Sequence, residues 1–172
     1  MGAVSTRAAV LALLGAALTG CIVVAPPRRP PPPPAPAPSH FRGWLLVTPD
    51  GRWKAKFLDS SDGMPELEEA ETVRRGERVY VLAFFSDPVP NRSGNVRVMC
   101  DIDVTNPDGQ PVRHEENVLC FRGPADARNV YVASPLSFVG ERDDPRGEWR
   151  VRIVLREGRG AEAALQGSFF YQ

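Results

Sequence analysis

From residue 41 onward, apolar and polar residues alternate in short runs. Val96, Val98, Cys100, Ile102 and Val104 are interleaved with Arg97, Met99, Asp101, Asp103 and Thr105, the period of two of a strand with one buried face. Trp149, Val151, Ile153 and Leu155 alternate with Arg150, Arg152, Val154 and Arg156 in the same way. Residues 79–85 are apolar on both faces, which predicts a central strand. Further strands are predicted over 44–48, 52–58, 112–120, 130–139 and 165–171. Pro49-Asp50-Gly51, Asn106-Pro107-Asp108-Gly109 and Asp144-Pro145-Arg146-Gly147 separate them, with residue types suited to tight turns. Residues 65–72 read as one short helix, with a proline at its first position and acids in its first turn. About eight short strands in ~130 residues predict an all-β antiparallel sandwich.

The segment from Asp144 to Leu155 runs Asp-Pro-Arg-Gly-Glu-Trp-Arg-Val-Arg-Ile-Val-Leu. It resembles the late hairpin of bacterial immunoglobulin-like domains, where a Pro-x-Gly turn feeds a strand that begins with an aromatic. The resemblance covers some 12 residues and implies an immunoglobulin-like sandwich of about seven or eight strands.

The first 40 residues have a different texture. Arg7 precedes an apolar run from Ala8 to Leu18, followed by Leu18-Thr19-Gly20-Cys21; this is the layout of a secretory signal. The last four residues resemble the lipobox of bacterial lipoproteins. That resemblance implies a signal peptide over 1–20, lipidation of Cys21 and attachment to a membrane. Ile22, where an aspartate usually retains lipoproteins in the inner membrane, implies the outer membrane of a two-membrane cell, with the domain facing the periplasm. The competing reading is an uncleaved anchor, since Ala8 to Ala25 is 18 residues without charge, near the lower limit for a spanning helix. Residues 21–40 then form a lipidated terminus and linker. Nine of the chain's 18 prolines fall between Pro26 and Pro38, which predicts a polyproline II spacer reaching roughly 45 Å. Residues 41–172 are the globular domain.

Charge narrows the function classes. The chain has 21 basic and 21 acidic residues, which lacks the basic excess of a nucleic-acid binder. Three of the basic residues lie before residue 40, so residues 41–172 hold 18 basic against 21 acidic, a net charge of −3. With Cys21 lipidated, Cys100 and Cys120 remain as an even pair in an oxidising compartment. A regular hairpin about Pro107-Asp108 would place Cys100 opposite Glu115, too far from Cys120 for a bridge. A disulfide therefore requires the segment after Gly109 to bulge, loop or cross between sheets, and the alternative is two buried thiols.

Candidate chemistry is sparse. His40 closes the linker, and His114 in Arg113-His-Glu-Glu-Asn-Val118 lacks the second histidine of a zinc-protease helix. Asp101 with Asp103, and Asp143 with Asp144, are the paired carboxylates a hydrolase or a calcium site would need; surface charge and turn hydrogen bonding account for both. Nucleophile-elbow, Walker and dinucleotide glycine patterns are missing. No metal or cofactor is expected. Arg150, Arg152 and Arg156 share one strand face and form the candidate binding face, suited to carboxylates or an acidic glycan. Phe84-Phe85 and Phe169-Phe170-Tyr171 place aromatics on both faces of a strand, so one member of each run can emerge from the core. The expected function is a non-enzymatic envelope binding or assembly module. Its expected partners are the membrane, through the lipid, and an envelope protein or cell-wall polymer. A polymer-binding protein or an accessory hydrolase is the alternative.

Overall fold

A computed structural model describes residues 40–61 and 64–172. The chain divides into two units, Met1–Pro36 and Ala37–Gln172, and all of the described residues belong to the second. The segment expected as a signal peptide, Cys21 and nearly all of the proline-rich linker lie outside the described residues.

The described domain is an all-β sandwich. Its elements run β1 (Arg42–Thr48), α1 (Trp53–Asp59), β2 (Thr72–Val73), β3 (Arg78–Ser86), β4 (Asn95–Thr105), β5 (Pro111–Pro124), β6 (Val130–Val132), β7 (Leu136–Val139), β8 (Gly147–Glu157) and β9 (Glu162–Tyr171). Sheet I has the order β1-β3-β6, with β7 also paired to β3. Sheet II has the order β2-β9-β8-β4-β5. The two alternating runs of the sequence are the neighbouring strands β4 and β8, in register Cys100↔Leu155 and Ile102↔Ile153. Their apolar residues meet Val79, Val81, Ala83 and Phe85 of β3 in one core.

The other face of β3 is equally apolar. Leu82 and Phe84 pack there with Phe57, and Trp44, Leu46, Trp53, Leu67, Val130 and Val132 surround them. A sheet face of this kind must be covered, and α1 with the chain around Leu67 covers it.

That requirement overturns two expectations. Residues 52–58, expected as a strand, form α1, because Trp53 and Phe57 stand four apart and put both rings on sheet I. The turn at Asp50 starts the helix: its side chain accepts the Arg52 N–H at 2.8 Å and meets Lys56 Nζ at 2.5 Å. Residues 65–72, expected as a helix, run without helix and end in β2. Ala70 N donates to Val47 O and Phe170 N to Glu71 O, both at 2.8 Å, so the edges of β1 and β9 take bonds that a marginal single-turn helix would have kept. The run 130–139 is split into β6 and β7 at Ser134-Pro135, where Ser134 N turns to the Cys120 carbonyl at 2.8 Å.

The β4–β5 hairpin resolves the cysteine problem by bulging. Its register shifts three times, between Val104 and Thr105, between Cys100 and Ile102, and between Val98 and Met99, and this sets Cys100 opposite Val118. Asn117 takes a positive φ of 53° in the middle bulge. Cys120 then sits beside Cys100 with a Cα–Cα distance of 5.8 Å, and the two form a disulfide. The same bulges, with Pro111 and Pro124 at the ends and charged residues between, blunt the long free edge of β5 against pairing with another sheet.

Sheets I and II come closest where β1 crosses β9. A Cβ on Gly167 would stand 2.5 Å from Leu45 Cδ2, and one on Gly43 would stand 2.9 Å from Leu165 Cδ2.

Gly43→Ala, whose Cβ would also stand 3.2 Å from Leu155 Cδ1 and from the Phe84 carbonyl oxygen, should therefore lower stability by about 1–3 kcal/mol through overpacking. Gly158→Ala, where nothing lies within 4 Å, should leave it nearly unchanged in a urea melt. Replacing Cys100 and Cys120 together by alanine should cost roughly 3 kcal/mol, the chain-entropy value for a loop of this length, in the same assay.

Candidate functional site

The outer face of sheet II carries the charged residues singled out from the sequence. Pairing across β4, β8 and β9 builds rows: Thr105, Arg150 and Ser168; Asp103, Arg152 and Gln166; Met99, Arg156 and Glu162. The candidate arginines thus share one face, but each already has an acid. Arg150 binds Glu148 at 2.6 Å, Arg152 reaches Asp103 at 3.4 Å, and Arg156 grips both oxygens of Asp101 and also Glu162 at 2.7 Å. The Arg156 guanidinium, helped by the Asn117 N–H, holds the Asp101 carboxyl well below the usual carboxylate range. The row is a set of ion pairs rather than an unsatisfied basic stripe: Arg152 and Arg156 pair across strands, and Arg150 pairs along β8 with Glu148. A shallow polar depression of about 480 Å³ remains over it, lined by Thr105, Arg150, Arg152, Gln166 and Ser168 among others.

The other candidates resolve in the same structural terms. His40 is exposed. His114 stands on β5 opposite Asp103, with its Nδ1 2.6 Å from Asp103 Oδ1. Asp144 accepts the Glu141 N–H at 2.7 Å inside the turn before β8, and Asp143 is exposed beside it. Of the aromatic runs, Phe84 and Phe85 are both fully buried, while Phe170 alone of residues 169–171 emerges, 49% exposed.

A second surface has no counterpart among the sequence expectations because it depends on α1. Along the outer edge of sheet I, a groove of about 750 Å³ runs between α1, β6 and the last third of β5. Its wall is mostly apolar and includes Trp53, Phe57, Leu58, Phe121, Val130 and Val132. Leu58 stands at its lip, 60% exposed. Arg128 fixes one end: it pairs with Asp126 at 3.0 Å, lies 5.2 Å over the Phe57 ring, and donates to the Phe57 carbonyl at 3.0 Å. The last contact serves a carbonyl at the C-terminal end of α1 that has no partner within the helix. The bond from Ala133 N to Ala83 O fixes the ladder parity of β6. Tyr131 and Ala133 bond to β3, so the N–H and C=O groups of Val130 and Val132 point away from it. Among the described residues no strand pairs with that edge, and the groove borders it. The i, i+4 spacing of Trp53 and Phe57 was the available signal for α1, and the alternation of Trp53, Ala55 and Phe57 with Lys54 and Lys56 obscured it.

Among the described residues, no three His, Cys, Asp or Glu side chains group as metal ligands.

The Asp103 carboxylate beside His114 raises the imidazole's pKa above its usual value, with a further pull from Glu116. The contribution of this pair is complete below the usual histidine pKa and disappears as pH rises through the raised one. An NMR titration should therefore place the His114 midpoint above that of a free histidine side chain, and Asp103→Asn should bring it back down.

No family model matches the chain, and no curated protein matches it. Among solved structures it is similar to the alkylpurine DNA glycosylase AlkC of Pseudomonas fluorescens bound to DNA containing an abasic-site analogue (13% identity, TM-score 0.42, 78% of this chain and 31% of that one). It is likewise similar to a Niemann-Pick type C2 protein from the Japanese carpenter ant (11% identity, TM-score 0.41, 76% and 92%). A third is the CARDB domain of the PF1109 protein from Pyrococcus furiosus (6% identity, TM-score 0.42, 77% and 87%). The chain spans about a third of the glycosylase's length. At this distance the likenesses concern the sandwich alone and carry nothing about activity.

Proposed function

We propose that this chain is a lipid-anchored envelope lipoprotein acting as a non-enzymatic binding or assembly module, and that the groove along β6 receives its protein partner. The leader ending in Leu18-Thr19-Gly20-Cys21 and the proline-rich spacer support the anchor. The groove supports the binding role, and one observation carries it: an apolar trough lies directly beside the outward N–H and C=O groups of Val130 and Val132. An extended segment of a partner can satisfy those groups as an added strand while its alternate side chains fill the trough.

The second reading is a polymer-binding protein using the depression over Arg150 and Arg152. The hydrogen-bonding side chains there and exposed Phe170 nearby favour a glycan. The arginines' prior engagement with Glu148 and Asp103 weakens it. The same engagement removes the free carboxylates an accessory hydrolase would need at Asp101 and Asp103.

Photo-crosslinkers placed in cells at Leu58 and at Arg152 separate the readings. The groove reading expects a discrete protein adduct from position 58 that disappears when Lys54 is changed to glutamate or Val130 to aspartate in a protein that still folds. Glycan adducts from position 152, with none from 58, would transfer the function to the second surface. Cys21→Ser should release the protein from the membrane fraction.

A further inference from the structure

The end of the sandwich at which the chain enters carries arginines of a different kind from the paired row. Arg42 of β1 is opposite Ser86 of β3, which is opposite Val130 of β6. The loop after Ser86 crosses to Asn95 of β4, opposite Pro124 of β5, and Val98 is paired with Glu157 at the end of β8. His40, the 87–94 loop, the 124–129 loop and the β8–β9 turn therefore gather at one end. Phe41, buried against Phe85 with ring centroids 5.8 Å apart, fixes where the linker leaves.

On sheet II at this end, Arg97 is directly opposite Arg122, and both are exposed. Like charges facing each other on neighbouring strands are unfavourable. Arg92 stands in the turn feeding β4 and Arg159 in the β8–β9 turn, both exposed. Among the described residues no carboxylate pairs with any of the four. The nearby acids are engaged: Asp126 with Arg128, Asp101 and Glu162 with Arg156, and Asp87 with the Asn129 amide. Asp59, exposed at the end of α1, lies on the far side of sheet I.

Buried Glu157 shapes this end. Its two oxygens accept the Val89 N–H at 3.2 Å and the Arg159 N–H at 3.1 Å, so one carboxylate holds both loops in place. Val89, in Asp87-Pro-Val-Pro90 of the first of these loops, is 38% exposed.

We infer that this end is a membrane-docking face, with Arg92, Arg97, Arg122 and Arg159 seated on the phosphates of anionic lipid headgroups and Val89 directed at the interface. Position and charge identify the occupant. The chain enters the domain at this end, at His40, so an anchor at Cys21 keeps this face within the spacer's reach of roughly 45 Å from the bilayer, and phosphates supply the bidentate acceptors that the facing guanidinia lack. The inference rests on the lipid-anchor reading of Cys21. In consequence the domain would stand end-on at the bilayer, with the β4–β5 turn at Asp108 pointing away and the β6 groove open at its side.

The test uses the intact lipidated protein in vesicles with one third anionic lipid. A fluorophore is placed at Ser93→Cys or at Asp108→Cys, and a quencher is attached to lipid headgroups. Ser93 should be quenched and Asp108 not. Each arginine changed to glutamine among Arg97, Arg122 and Arg159 should lower the ratio of docked to free domain about five-fold, from about 1 kcal/mol per basic residue. Protein that floats with the vesicles while Ser93 stays unquenched would overturn the docking face and leave the anchor standing. Equal quenching on neutral vesicles would also overturn it, since the arginines would then not be the cause. If the wild-type chain fails to float, or floats no better than Cys21→Ser, the anchor reading falls and the inference with it.

Discussion

β3 is buried on both of its faces, and much of the domain is arranged to satisfy that constraint. Phe85 points into the space between the sheets, stacked on Tyr131 at 5.1 Å, while adjacent Phe84 points outward and stacks on Trp44 at 5.6 Å. A sandwich strand normally needs one dry side. This one needs two, and sheet II supplies only the first. The chain between β1 and β2 supplies the second by folding α1 and the Leu67 segment over sheet I. Seven helical residues cannot cover the whole sheet, and the cover stops at β6. The groove is where it stops, so the candidate site arises from the same burial requirement that holds the fold together.

Electrostatics divides the surface into spent and unspent charge. On the middle of sheet II the acids of β4 and β9 meet Arg152 and Arg156 of β8 across the ladder, and Arg150 meets Glu148 along β8; such exposed pairs contribute little to stability while leaving little charge for a ligand. At the chain-entry end the opposite arrangement holds, because Arg97 and Arg122 occupy facing positions and the local carboxylates are bound elsewhere. Residues of one sign along a strand therefore do not by themselves make an unpaired charged face. What matters is what stands opposite on the next strand.

That distinction explains how far the sequence could be read. Period-two alternation identified β4 and β8 because each has one wet and one dry face, and the all-apolar run identified β3. Turn chemistry located the boundaries at Asp50, Asp108 and Asp144. The cysteine pair was legible as a geometric conflict that either a distorted hairpin or two unbridged thiols would resolve, and the three register shifts of β5 are that distortion. α1 was not legible as a helix because seven residues with apolar positions at 53, 55 and 57 satisfy a strand pattern and a helix pattern alike, and only the uncovered face of sheet I decides between them. The acid-rich stretch before β2 has the composition of a helix start but no length to sustain one, so edge hydrogen bonds to β1 and β9 prevailed. The groove and the unpaired arginines are properties of neighbours across strands, which no local pattern encodes.

Among the described residues, cover of sheet I ends at β6 and leaves an open strand edge beside the groove. Amide hydrogen exchange of the intact protein, followed residue by residue, tests this most directly. Slow exchange at Tyr131 and Ala133 with fast exchange at Val130 and Val132 is the predicted alternation. Uniform protection across residues 130–133 would mean that the edge is already occupied within the chain, and would contradict an open docking edge.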